Sequence, residues 1–319
     1  MNQESSKYVD HIAMEKILSD KLSKVSHSPF SSLFAVEKDP LKDFSQMQEK
    51  AFCLEPDGSA GQKTFQSLVG SPYPENNTSV LFCYPSVLEA KGSVLIVHGL
   101  FEENRMLYRM LVATLNRFQI DVYVMILPYH YERKPLQSFF SGEYFLSADL
   151  ARTQWAFKQA IYDLLAWKIY IEKKGLPLLV AGFSTGGCIA LDLAMILDFP
   201  ALFLINPISN FSNLFWHNEL ISTVKKDLIQ NGYELQDVLN IMQVFEPISN
   251  PKRKNMGKNL ALAIGEYDQI VDAKDYEKFS EEFQPRDVFS YHCGHLNILR
   301  VPKLAEDIRN MLYGILNKE

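Results

Sequence analysis

Leu178-Leu179-Val180-Ala181-Gly182-Phe183-Ser184-Thr185-Gly186-Gly187-Cys188-Ile189-Ala190-Leu191-Asp192-Leu193-Ala194 is the stretch on which the fold turns. It opens as an apolar run of strand length, passes through Gly182-Phe183-Ser184-Thr185-Gly186, and continues as an alanine- and leucine-rich segment of helical character. A serine hydroxyl is a poor nucleophile unless a base removes its proton and the backbone aims it outward. A sharp strand-to-helix turn does the aiming. It crowds the backbone, so glycine is needed on both sides of the serine, and the amide after the serine points at the carbonyl oxygen under attack.

Working outward, short apolar strands alternate with helical periodicity. SVLIVHG from Ser93 precedes a helix near 104–117, DVYVMILP from Asp121 precedes one near 147–173, and LLVAG precedes one near 184–197. ALFLINP, LALAIG, a helix near 272–283, DVFSYHC and a helix near 303–316 complete the series. This alternation predicts an α/β fold with right-handed crossovers and a mostly parallel sheet covered by helices on both faces. Ahead of it, TFQSLVG and TSVLFCYP read as an antiparallel hairpin around SPYPENN. Residues 1–60 read as an N-terminal helical extension, with Tyr8, Ile12, Ile17 and Leu22 on one helical face, and residues 61–319 as the α/β domain. Residues 208–258 exceed an ordinary connection and are expected to form a helical cover, before the penultimate strand, over the C-terminal edge of the sheet, either as a lid or as a packing elaboration.

Composition narrows the function classes. Of 319 residues 47% are hydrophobic, enough for a full core without staples, and the net charge of −6 offers no electrostatic footprint for nucleic acid. Lys252-Arg253-Lys254 is a short basic run expected in a solvated loop. Cys53, Cys83, Cys188 and Cys293 lack zinc or redox spacing, which fits a reducing compartment. No signal peptide and no stretch of eighteen apolar residues is visible, so a cytoplasmic protein without a transmembrane segment is expected.

Two further segments supply partners for Ser184. LALAIGEYDQIVD offers Asp268, with Glu266 and Asp272 as competitors; Asp272 is placed to cap the following helix. VFSYHCGHLNIL offers His292, which continues a strand, and His295, which follows Gly294 in a loop. Together with the Ser184 elbow and with VLIVHGLFEE, these make the chain from about 64 to 316 resemble an α/β-hydrolase. The resemblance implies a Ser184–His295–Asp268 triad, in the family's order of serine, acid and histidine. It also implies an oxyanion hole from the backbone N–H groups of Leu100 and Thr185. Serine at the nucleophile position sets the chain apart from relatives that use aspartate or cysteine. ILPYHYERKPLQSFFSGEYFLSADLART, from Ile126, resembles the Leu-Pro-Tyr-His loop of a poorly described branch of the same superfamily.

The expected activity is carboxylic ester hydrolysis through an acyl-enzyme, as a serine hydrolase without metal or organic cofactor. Acyl transfer or thioester hydrolysis by the same triad, and a non-catalytic ligand-binding protein of the same fold, are the alternatives. Phe101, Tyr129, His130, Phe215 and Trp216 are candidates for contact with a small ester or lipid-like substrate. Arg133 and Glu143 belong to the same loop as Tyr129 and His130. For this loop an internal hydrogen-bond network is the competing reading.

Overall fold

The computed structural model describes residues 3–25, 33–249 and 259–316. The apolar runs become strands β1 (Asp57–Gly58), β2 (Gln62–Gln66), β3 (Thr78–Tyr84), β4 (Gly92–Val97) and β5 (Ile120–Met125). They continue as β6 (Leu178–Phe183), β7 (Leu202–Ile205), β8 (Leu260–Gly265) and β9 (Asp287–Tyr291). All belong to one sheet ordered β1-β2-β3-β5-β4-β6-β7-β8-β9. The expected hairpin is β2 against β3, from Gln62↔Phe82 to Gln66↔Thr78. From β5 through β4, β6, β7 and β8 to β9 every neighbouring pair is parallel. β1 is a two-residue antiparallel edge that the sequence pattern does not announce.

The helices are α1 (Gln3–Asp20), α2 (Phe44–Phe52), α3 (Arg109–Arg117), α4 (Leu150–Glu172) and α5 (Thr185–Ala194). They are followed by α6 (Phe211–His217), α7 (Ser222–Gln230), α8 (Leu235–Met242), α9 (Ala273–Phe283) and α10 (Pro302–Leu316). Alternating residues of β4 show how the sheet divides the core. Val94 and Ile96 face a cluster built with α3 and α10, while Leu95 and Val97 face one built with α4, α5 and α9. Burial on both faces is why these strands are apolar at successive positions.

Helix starts follow local chemistry. Asp149 accepts the Arg152 N–H at 3.0 Å and caps α4, and Asn104 accepts the Met106 N–H at 3.0 Å at a 3-10 turn preceding α3. α6, α7 and α8 occupy the described part of the 208–258 segment; residues 250–258, with the Lys252-Arg253-Lys254 run, lie outside the described residues. The inner side of this segment is core: Phe211 and Phe245 stand 4.9 and 5.5 Å from the Phe157 ring of α4.

α1 does not bury the apolar side chains of its first half. Tyr8 and Ile12 are 64% and 42% exposed, whereas Ser6 and Asp10 are fully buried. The helix turns a partly polar stripe inward because Asp10 finds donors in the loop after β9. No helix among the described residues is long and apolar enough to cross a membrane.

Candidate active site

Parallel pairing brings the chemistry to one sheet edge. Val97 of β4 lies opposite Gly182 of β6, so His98-Gly99-Leu100 and Phe183-Ser184-Thr185 leave the sheet side by side. Gly265 of β8 lies opposite Tyr291 of β9, which does the same for the loops carrying Asp268 and His295. At the elbow Ser184 has φ +53°, ψ −119°, a conformation avoided by residues with a Cβ. Neighbouring glycines make it possible. A Cβ on Gly182 would stand 2.6 Å from the Gly186 oxygen, and one on Gly186 would stand 2.2 Å from the Val97 oxygen. The Ser184 N–H donates to Ile205 O at 2.9 Å, tying the strained residue to β7.

Ser184 Oγ lies 3.0 Å from His295 Nε2, and His295 Nδ1 lies 2.7 Å from Asp268 Oδ2. Asp268 is saturated: Oδ1 accepts the Ile270 and Val271 N–H groups at 2.7 and 2.9 Å, and Oδ2 accepts the Tyr276 hydroxyl of α9 at 2.7 Å. Burial opposes a charged His295, but the Asp268 carboxylate, with smaller help from Asp10 and Glu102, outweighs it and holds the imidazole above its ordinary value. The backbone of His295 is held too. Its N–H donates to Asp10 Oδ2 at 2.6 Å and its carbonyl accepts Asn206 Nδ2 at 3.0 Å.

The N–H groups of Leu100 and Thr185 make no hydrogen bond within the protein among the described residues. Beneath them, Glu102 accepts the Gly99 N–H at 2.9 Å and the hydroxyls of Tyr108 and Tyr131 at 2.7 and 2.6 Å. Burial pushes the Glu102 carboxyl up to about 7, against those three donors. A cleft of about 550 Å³ opens beside the same loop, lined by Ile17, Leu100, Phe101, Leu107, Met110 and Leu296 among others.

The competing candidates stand elsewhere. Asp272 accepts the Lys274 N–H at 2.9 Å and caps α9. Glu266 pairs with the exposed His292 at 2.5 Å, away from Ser184. Tyr129 and His130 are fully buried. His130 Nδ1 meets Pro128 O at 2.8 Å and Nε2 accepts the Phe101 N–H at 3.3 Å, so both ring nitrogens serve backbone. Arg133 pairs with Asp163 at 2.8 Å and donates to Ile126 O and Asn76 O at 2.9 and 2.8 Å. Glu143 accepts Ser138 Oγ and the Phe139 N–H, so the loop after β5 is an internal network. Phe101 is 3% exposed and meets Phe140 edge-on, Phe215 is wholly in the core, and half-buried Trp216 lies under Lys225. Among the described residues no group of three or more His, Cys, Asp or Glu side chains has metal-holding geometry.

Sequence reasoning missed Asp10, Asn206, Tyr276 and Glu102. Only Glu102 carried a local signal, following directly after His98-Gly99-Leu100-Phe101.

The chain has the α/β-hydrolase fold. Its structure resembles that of a thermostable carboxyl esterase from Bacillus coagulans (15% identity, 80% of this chain and 98% of that one, TM-score 0.50). It also resembles a soluble variant of monoglyceride lipase from Saccharomyces cerevisiae (15%, 77% and 97%, 0.51) and a protein from Thermus thermophilus (18%, 82% and 99%, 0.52). No protein-family model matches the sequence, and no curated protein does.

Proposed function

We infer that the protein is a serine hydrolase that cleaves carboxylic esters through an acyl-enzyme on Ser184. The observation that carries this reading is the unbroken chain from Ser184 through His295 to Asp268, set beside two backbone N–H groups with no acceptor among the described residues. His295 accepts the Ser184 proton as the oxygen attacks the ester carbonyl, and Asp268 fixes the imidazole tautomer and stabilises the imidazolium. Negative charge developing on the carbonyl oxygen is met by the Leu100 and Thr185 N–H groups. The imidazolium then protonates the departing alcohol, and a water activated by the same imidazole releases the acid. The cleft beside Leu100 offers apolar surface from Ile17, Leu107, Met110 and Leu296 to an apolar portion of the ester, with Glu103, Arg109 and Arg300 also on its wall.

Intact mass after incubation with a fluorophosphonate tests the reading. A single adduct on the native protein, absent from Ser184→Ala and His295→Ala, is expected. A folded native protein that takes up no reagent would instead support a binding protein of this fold.

A further inference from the structure

α1 turns a fully buried carboxylate toward the loop after β9. Asp10 Oδ2 accepts the His295 N–H at 2.6 Å, and Oδ1 accepts the Leu296 N–H at 3.1 Å. The fit leaves no slack: a Cβ on Gly294 would stand 2.4 Å from Asp10 Oδ2. Eleven residues along the same segment, Lys21 Nζ donates to Phe101 O at 2.9 Å and pairs with Glu103 at 2.6 Å. α1 and the residue that follows it thus grip the loop that carries His295 and the loop that carries the Leu100 N–H.

We propose that Asp10 is a positioning residue for His295, so that the N-terminal helix is a working part of the active site. This rests on the acyl-enzyme reading. The remaining polar groups of His295 are already engaged: Nδ1 by Asp268, Nε2 by Ser184 and the carbonyl by Asn206. Asp10 supplies the last restraint, on the backbone N–H, and fixes the height of the imidazole over Ser184. A carboxylate suits this task because it offers acceptors to two adjacent N–H groups at once. An amide offers one acceptor and turns its own donors on the second N–H.

The geometry has an electrostatic companion. The charged and titratable groups facing His295 are Asp268 from the loop after β8, Glu102 from the loop after β4 and Asp10 from α1. Those facing Asp10 are His295, Asp268, Tyr276 and Cys293. His295 must be neutral to accept the Ser184 proton, so labelling rises with pH through its titration. Removing the Asp10 charge lowers that titration point and moves the acid limb to lower pH.

The test measures fluorophosphonate labelling rate against pH, thermal melting, and the NMR titration of the His295 imidazole. The proteins are native, Asp10→Asn, Gly294→Ala, the double variant, and Tyr8→Ser on the exposed side of α1. Asp10→Asn is expected to melt cooperatively, to label about ten- to a hundredfold more slowly, the cost of a small misplacement of a catalytic group, and to shift the acid limb downward. Gly294→Ala, which pushes the carboxylate off the loop, is expected to slow labelling similarly. The double variant should be no slower than the slower single variant, because both break one contact. Tyr8→Ser should match native.

A folded Asp10→Asn with native rate and unmoved His295 titration overturns the proposal. If Asp10→Asn fails to fold, Gly294→Ala decides: slowed labelling supports the role and a native rate overturns it. If the native protein takes up no reagent, the acyl-enzyme reading falls by itself. The His295 titration then decides for Asp10, a downward shift in Asp10→Asn supporting the contact and an unmoved one overturning it.

Discussion

His295 and His130 are both buried at the same sheet edge, yet their surroundings drive them in opposite directions. Burial disfavours the charged form of each. At His295 the Asp268 carboxylate reverses that tendency, whereas at His130 the neighbouring His98 and Arg133 reinforce it and hold the ring neutral. The two also differ in what their nitrogens touch: a hydroxyl and a carboxylate for His295, backbone groups for His130. A buried imidazole is thus fitted for proton transfer by the charge that faces it and by a reactive hydroxyl within reach. One without either serves as a strut.

The widest separation between the two sites is expected in turnover of a reporter ester. Asp268→Asn should lower kcat by about 10⁴-fold, because the amide favours the wrong imidazole tautomer. His130→Gln, which can still accept the Phe101 N–H, should stay within about tenfold of native. A large loss in His130→Gln with intact melting would break the comparison.

Stability should reverse the ranking. Arg133→Met leaves Asp163 buried and unpaired in the network that contains His130, which typically costs about 3–5 kcal/mol. Urea denaturation should show that loss for Arg133→Met and far less for Ser184→Ala.

Glu102, whose carboxylate reaches within 4.0 Å of His98 Nδ1, sharpens the contrast through pH. Its folded value of about 7 stands above the ordinary 4.5. Between those limits the unfolded chain gives up a proton that the folded protein keeps, so stability present at low pH is lost as pH rises toward 7, by on the order of 3 kcal/mol. Glu102→Gln should flatten that fall, measured as unfolding free energy across pH 4 to 8. An equally steep fall in the variant would assign the effect to other groups.

Much of this was legible in the sequence because parallel strands buried on both faces leave long apolar runs, as in LLVAG and LALAIG. The elbow was legible because glycine is the only residue that fits at 182 and 186. Position alone leaves His292 and His295 both open, and the choice of His295, after Gly294, comes from the α/β-hydrolase resemblance. What stayed hidden depends on distant pairings. The inward face of α1 has no apolar signature, because Tyr8 and Ile12 point outward while Ser6 and Asp10 turn in. No local pattern reports that the partners of Asp10 lie at 295 and 296. Asn206 and Tyr276 escaped for the same reason: their partners, His295 and Asp268, come from other segments. The loop after β5 kept its two readings open because positive φ at Tyr129 and Tyr131, on which its shape depends, has no signature in aromatic residues.

The bond from Asp10 to His295 joins residues 285 positions apart. On a ribosome adding roughly 5–20 residues per second, α1 emerges a quarter of a minute to a minute before the loop it must grip. Throughout that interval its inward carboxylate lacks the two N–H groups it holds in the folded protein. The order of synthesis therefore joins the two ends of the site late, and a nascent chain stalled before residue 295 has neither the imidazole nor the acceptor-seeking N–H groups that Asp10 engages.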